Sequence, residues 1–200
     1  MIWWCKARGL SLIAASTLGT MLTGLAIGNL ELPIPVLTGQ SGQFLLAHLM
    51  TLIPAATLLY GLGRGDSRAT NTALRNIRHW DAALGLLTAA AGAAIAVVCY
   101  LALDSDLAVI LGRNVASYVG LALLLHPFLG YQLAAAAIAA VPLVLAAGGW
   151  RPNGTPETWA WLLHDAGSAL ALLFMLVFLC LGAVASIARP QLPLRLRTHF

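Results

Sequence analysis

Charge is scarce in this sequence. Only 9% of its 200 residues are Asp, Glu, Lys or Arg, against 60% apolar ones. Soluble domains carry about 25% charged residues. So little charge excludes an ordinary water-facing surface and points to an integral membrane protein. Carboxylates are the scarcer sign, 7 against 11 basic residues. None falls deep inside an apolar stretch, and Asp81 sits at the edge of one. That argues against a carboxylate-based proton-coupled transporter and against an aspartyl intramembrane protease. The 3 cysteines form no CxxC and no metal-ligand spacing. Cys99 and Cys180 lie in apolar stretches, where a thiol behaves as a small hydrophobe. No nucleophile elbow, HExxH, Walker A or dinucleotide-binding GxGxxG in its strand–helix context occurs. No catalytic residue, metal ligand or cofactor is therefore expected, and the chain is not read as an enzyme. Without a Walker A motif, any active transport would draw its energy from a partner.

What is present is apolar length. A bilayer crossing takes roughly 20 residues at 1.5 Å each. Six stretches qualify: 9–28, 42–62, 82–103, 107–129, 131–149 and 166–188. The expected fold is therefore an all-α integral membrane protein with six transmembrane helices, forming a single domain over residues 1–200. The fourth stretch contains Arg113 and Asn114, and only Gly130 separates it from the fifth. Lys6 and Arg8 before the first stretch, and "AIG" at Ala26–Gly28, have the form of a signal peptide. An h-region usually runs 7–15 residues, so a stretch of about 20 reads as a retained helix.

Basic residues set the orientation. Lys6 and Arg8 precede the first stretch, Arg64, Arg68, Arg75 and Arg78 lie between the second and third, and Arg189, Arg195 and Arg197 follow the sixth. The opposite loops hold Glu31, Asp104, Asp106, Glu157 and Asp165, with Arg151 their one clear basic residue. Both termini and the arginine-rich loop are thus expected in the cytoplasm. Arg64-Gly65-Asp66 has the form of an adhesion tripeptide, but on that side no extracellular receptor meets it. Four arginines without interleaved aromatics do not make a nucleic-acid interface either.

The same loop has helical pattern. Asp66 or Ser67 is a capping residue, and Arg68, Asn71, Arg75 and Arg78 share one face. Ala69, Ala73, Ile77 and Trp80 share the other, giving an amphipathic helix over 67–80 suited to the membrane interface. It serves either as an anchor on anionic lipid or as a docking surface for a cytoplasmic partner. Within the bundle, small residues at Ser16, Thr20, Gly24 and Gly28 predict a close helix–helix seam. Gly85, Ala89 and Ala93, flanked by Thr88, Gly92 and Ala96, predict another. Pro54 and Pro142 are expected to kink their helices.

Arg113 with Asn114 is the most unusual polar pair. A charged side chain at the bilayer centre costs about 2.5–3.5 kcal/mol on insertion scales. Arg113 either snorkels outward to Asp104 or Asp106, or lines a substrate path with Asn114. The outer loop 149–165 holds Trp150, Trp159 and Trp161, read as an interfacial aromatic belt, and a short re-entrant turn at 157–165. His48 and His164 lie toward the outside, His79 and His126 toward the inside. That is the number a membrane cytochrome with two bis-His haems needs, although no CxxCH accompanies them.

"GRNVASYVGLALLLHPFLGYQLAAAAIAAVPLVLAAGG" at Gly112–Gly149 and "WAWLL" at Trp159–Leu163 resemble the second half of small bacterial ABC-2 type exporter permeases. The resemblance covers about half the chain. It implies a membrane permease subunit working with a separate cytoplasmic ATP-binding subunit and a second permease copy or homologue. It also implies that the loop between the second and third crossings, here about Ser67–Trp80, rests on the ATPase, so that Arg68, Arg75, Ile77, Arg78 and Trp80 would form the docking surface. Arg113 and Asn114 would line the substrate path. The cargo would be hydrophobic or peptidic, and the location the bacterial inner membrane. Family members usually carry an amphipathic helix before the first crossing, and here "MIWWCKAR" occupies that place. A haem- or quinone-linked redox subunit and a scaffold of a larger membrane complex are the alternatives.

Overall fold

The computed structural model describes residues 2–28, 30–35, 41–64 and 77–188. Five helices among them are long and apolar enough to cross a membrane: Leu10–Ile27, Leu46–Gly63, Arg78–Leu103, Asp106–Gly148 and Ala169–Ala188. In chain order the elements are α1 (Ile2–Ala7), α2 (Leu10–Ile27), β1 (Glu31–Pro35), β2 (Ser41–Leu45), α3 (Leu46–Met50), α4 (Leu52–Gly63), α5 (Ile77–Leu103), α6 (Asp106–Gly148) and α7 (Ala169–Ala188). A single 3-10 turn, Trp161–Leu163, lies between the last two.

The second crossing differs from its expected span of 42–62. Residues 41–45 form a strand paired antiparallel with β1, with Glu31 opposite Leu45 and Pro35 opposite Ser41. The helix begins at Leu46 and breaks at Thr51, between α3 and α4. Pro54 accounts for the break. It has no N–H for the carbonyl four residues back, that of Met50, and its ring crowds that oxygen. The Thr51 hydroxyl donates to the His48 carbonyl (2.6 Å) beside the break.

The third crossing starts earlier than expected. α5 opens at Ile77, so Ile77–Trp80 run directly into the membrane helix. Most of the amphipathic 67–80 segment, including Arg68 and Arg75, lies outside the described residues.

The stretches expected at 107–129 and 131–149 follow one another without a loop as α6, 43 residues long. It is not straight. Gly130 has φ 73 and ψ 176, a conformation that side chains with a Cβ avoid. A straight helix would hold residues 113 and 149 about 54 Å apart. Instead a short relay links them. The Glu157 N–H donates to the Gly149 carbonyl (2.8 Å). The Glu157 carbonyl meets His164 Nε2 (3.1 Å), and Arg113 donates to the His164 carbonyl (2.6 Å). The two arms, 106–129 and 131–148, therefore run antiparallel. Pro142, expected to bend its helix, keeps helical φ/ψ, as does Pro127. The sharp turn falls to the glycine.

The first arm of α6 is the hub. Residues 111–120 are all buried, ten in a row, so no face of the helix meets lipid there. Leu111 packs at Gly24 of α2, Val115 at Gly92 of α5, Gly112 at Ala96 of α5, and Leu123 at Gly85 of α5. The predicted small-residue seams are thus largely present. Thr20 and Gly24 are buried, and Ser16 shares a hydrogen bond with Thr57 of α4 (2.8 Å). Gly28 does not extend that seam, because it ends α2 with φ 62. In α5, Gly85, Thr88, Ala89, Gly92 and Ala96 are buried, while Ala93 faces outward. α7 buries only Ala171 and Gly182, and exposes Leu172, Leu173, Leu176 and Val184 as a lipid-facing surface would.

The tightest seam joins α6 to α7. A Cβ on Gly182 would fall on the Gly120 carbonyl oxygen, and one on Gly120 would fall on the Phe178–Leu179 peptide. The two backbones touch. Lipid offers helices no hydrophobic incentive to associate, so such contact is a main source of cohesion. Gly182→Val is expected to destabilise the bundle by about 1–3 kcal/mol, the usual range for overpacking. Thermal unfolding of the detergent-solubilised protein checks this, and an unchanged midpoint would show that the seam tolerates separation.

Candidate functional site

Two buried arginines, Arg8 and Arg113, stand toward opposite ends of the α6 first arm. At one end stands Arg8, in the elbow between α1 and α2, where Gly9 adopts φ 64. Nη1 of Arg8 donates to the Leu62 carbonyl (2.6 Å) and to that of Gly61 (3.4 Å). Nη2 pairs with Asp81 Oδ2 (2.6 Å). Both residues are nearly excluded from solvent, at 4% and 6% exposure. The carbonyls belong to the last turn of α4, where helix geometry leaves oxygens without intrahelical donors. One guanidinium thus ties the end of α4 to the start of α5. Arg8 also exerts its field on buried His126, in the last turns of the α6 first arm. Trp4 stacks at a tilt on Trp80, with ring centroids 6.0 Å apart, so α1 is held to the same place.

Sequence reading counted Arg8 only as an orientation charge and Asp81 only as a boundary carboxylate. The available signal was that Asp81 is the one carboxylate adjoining an apolar run on the basic side. Its pairing with Arg8, 73 positions away, had no local trace.

At the other end Arg113 does not reach Asp104 or Asp106, and both of these are exposed. Its Nη1 donates to the Asp165 carbonyl (2.7 Å), and its Nη2 to the carbonyls of His164 (2.6 Å) and Trp161 (3.4 Å). These oxygens belong to the 3-10 turn and the residues just after it, and that of Asp165 also accepts the Ser168 N–H (3.1 Å). A planar fork of fixed donors holds them in one arrangement. Among the described residues Arg113 has no carboxylate at ion-pair distance. The loop is also held by Trp161, which is buried against Phe178 (5.0 Å between centroids) and Phe174 (6.0 Å). Trp161 is therefore a core residue and not part of an interfacial belt, whereas Trp159 stays exposed.

Next to Arg113, Asn114 is fully buried, and neither its Nδ2 nor its Oδ1 has a hydrogen-bond partner among the described residues. Tyr118, four positions on and so on the same face, is fully buried with its hydroxyl unmatched as well. Ser117 is spent within the helix, donating to the Arg113 carbonyl (2.9 Å). His48 of α3 is buried within the electrostatic reach of Arg113. The proposed pair Arg113 and Asn114 is therefore divided. The arginine is bound to the outer loop, and the asparagine is turned to another face with Tyr118, which sequence reading overlooked.

The other expected site residues scatter. Arg68 and Arg75 lie outside the described residues. Ile77 sits in the first turn of α5, Arg78 is half-buried there, and Trp80 is 43% exposed. His79 is exposed while His126 is buried, so the inner pair of histidines does not share an environment. On the outer side, the His164 ring is engaged with the Glu157 carbonyl. No group of three His, Cys, Asp or Glu side chains able to hold a metal occurs among the described residues. No family model, no curated protein and no solved structure matches this chain.

Removing one member of a buried ion pair strands the other charge, at a typical cost of about 3–5 kcal/mol. Arg8→Met and Asp81→Leu are each expected to destabilise the bundle to that extent. The double variant is expected to lose far less than the sum, because neither charge is then left alone. Thermal unfolding of the three variants in one detergent measures the coupling, and strict additivity would show that the pair is not coupled.

Proposed function

We propose that this chain is the membrane permease subunit of an ABC-type exporter. On this reading it crosses the bacterial inner membrane six times and works with a separate cytoplasmic ATPase to move a hydrophobic or peptide cargo. The observation that carries the reading is the antiparallel turn at Gly130. On this reading its two arms would be separate crossings, which would make the number even. Both chain ends and the arginine-rich segment 64–78 would then lie on one side, which positive-inside bias would make the cytoplasm.

The inner polar cluster supports a coupling role for that segment. Its two stems, the end of α4 and the start of α5, are joined by Arg8. A partner pressing on Arg68, Arg75, Ile77, Arg78 and Trp80 would push on α5 directly, since Ile77–Trp80 are its first turn. On this reading the six-residue α1 would take the place of the longer amphipathic helix that permeases of this type carry. Nucleotide-driven closure of the ATPase would bias the bundle between two packings. The central helix, with Arg113 latched to the outer loop and Asn114 unmatched, would line the cargo path. The complete transporter would pair two permease chains.

Two measurements test the proposal. Purification of the tagged protein in mild detergent is expected to bring down a stoichiometric ATP-binding subunit. Recovery of cytochromes or oxidase subunits without an ATPase would overturn it. Charge reversal at Arg75 and Arg78 is expected to abolish transport while leaving the unfolding midpoint unchanged. Transport at the wild-type rate by that variant would remove the segment from the coupling role.

A further inference from the structure

Among the described residues several buried polar atoms have no hydrogen-bond partner, and four of them sit on α2 and the first arm of α6: Nδ2 and Oδ1 of Asn114, the hydroxyl of Tyr118 and the hydroxyl of Thr20. Asn114 and Tyr118 lie one turn apart on the first arm of α6, with Cβ atoms about 5–6 Å from one another by helix geometry. Thr20 belongs to α2 and is buried on the face that meets that arm. It stands between Thr17, which with Val115 borders Gly92 of α5, and Gly24, which receives Leu111. Folded proteins pair the great majority of their buried polar atoms, and in a bilayer no bulk water makes up the difference. Four unmatched atoms on two adjoining helices call for a ligand.

The chemistry of these atoms selects its type. Asn114 offers a donor and an acceptor in one plane, and the hydroxyls of Tyr118 and Thr20 each donate or accept. Both terminal nitrogens of the nearby cation, Arg113, are bound to carbonyls of the outer loop, and only its Nε is without a partner among the described residues. An anionic group would find one N–H there and not a guanidinium fork. A carboxamide matches the set, since its C=O and N–H pair side by side with an asparagine amide. The surrounding core residues, among them Leu111, Val115 and Val119, are apolar.

We infer that Asn114 and Tyr118, with Thr20, form a membrane-embedded subsite for the carboxamide group of an otherwise apolar molecule. The inference rests on the permease reading in taking Asn114 to line the cargo path. Its test uses the isolated protein, so it can fail while the ATPase partnership stands, and the reverse.

The probe is dodecanamide, compared with methyl dodecanoate, which lacks the donor, and dodecanoate, which is charged. Each is added to the full chain in lipid nanodiscs, and thermal unfolding is followed. Dodecanamide is expected to raise the midpoint of the wild-type protein, and the other two are expected to have little effect. Asn114→Leu and Tyr118→Phe remove unmatched polar atoms, so each is expected to unfold at a higher temperature than wild type in the absence of probe. Each should also weaken dodecanamide binding about tenfold, a typical loss for one hydrogen-bonding partner. Tyr118→Phe deletes a single oxygen and keeps the shape, so it decides the matter if Asn114→Leu packs badly. A lower midpoint for Tyr118→Phe would mean that its hydroxyl is already satisfied inside the protein and would overturn the inference. So would equal stabilisation by all three probes, or by dodecanamide in wild type and variants alike.

Discussion

The bundle depends on one constraint: a helix surrounded on every side by other helices, in a solvent that does not drive them together. Lipid tails are as apolar as the leucines of α6, so burying that helix gains little from the hydrophobic effect. Cohesion must come from closeness and from polar contacts. Closeness is supplied where small residues let neighbours in, at Gly24, Gly85 and Gly92, and most sharply at Gly120 and Gly182, where two backbones meet. This explains how α7 belongs to the fold with only Ala171 and Gly182 fully buried: its backbone meets that of α6, and Phe174 and Phe178 pack on Trp161.

Polar contacts are placed where closeness alone would let the bundle slide. Arg8 binds the α4 terminus and Asp81 at one end of the central helix, and Arg113 binds the outer loop at the other. Both guanidiniums use backbone carbonyls at or just beyond helix or 3-10 ends, where intrahelical donors run out. Each therefore answers two needs at once: a buried cation gains acceptors, and a buried turn gains donors. Between the two anchors lie Asn114 and Tyr118, which gain nothing of the kind. The contrast along one helix separates groups that hold the structure from groups available to something else.

For the proposed exporter this arrangement has a mechanical meaning. One anchor fixes the hub's neighbourhood to the last turn of α4 and the start of α5, and the other fixes the hub to the 149–165 loop. A displacement at the first would reach the second along a helix that has no lipid-exposed face to yield on. α5 would carry the push, since it starts beside the segment and packs along the hub at Gly85, Gly92 and Ala96.

Much of this was legible in the sequence. Apolar runs of bilayer length marked the helices, since hydropathy is a local and additive property of residues. The Gly130 boundary between two runs, the small-residue seams of α2 and α5, and the biased placement of arginines were likewise visible. Pro54 breaks its helix at Thr51, as expected, whereas Pro142 leaves its helix unbroken and Gly130 makes the turn. The partners of Arg8 and Arg113 were decided only by the tertiary structure. Their acceptors include backbone oxygens 48 to 54 positions away. Every residue carries such an oxygen, so no side-chain pattern announces which one will be used. The same reason hid Asn114 and Tyr118, because a polar residue on an apolar helix shows its need for a partner in the sequence, whereas the lack of one appears only after every neighbouring helix has been placed.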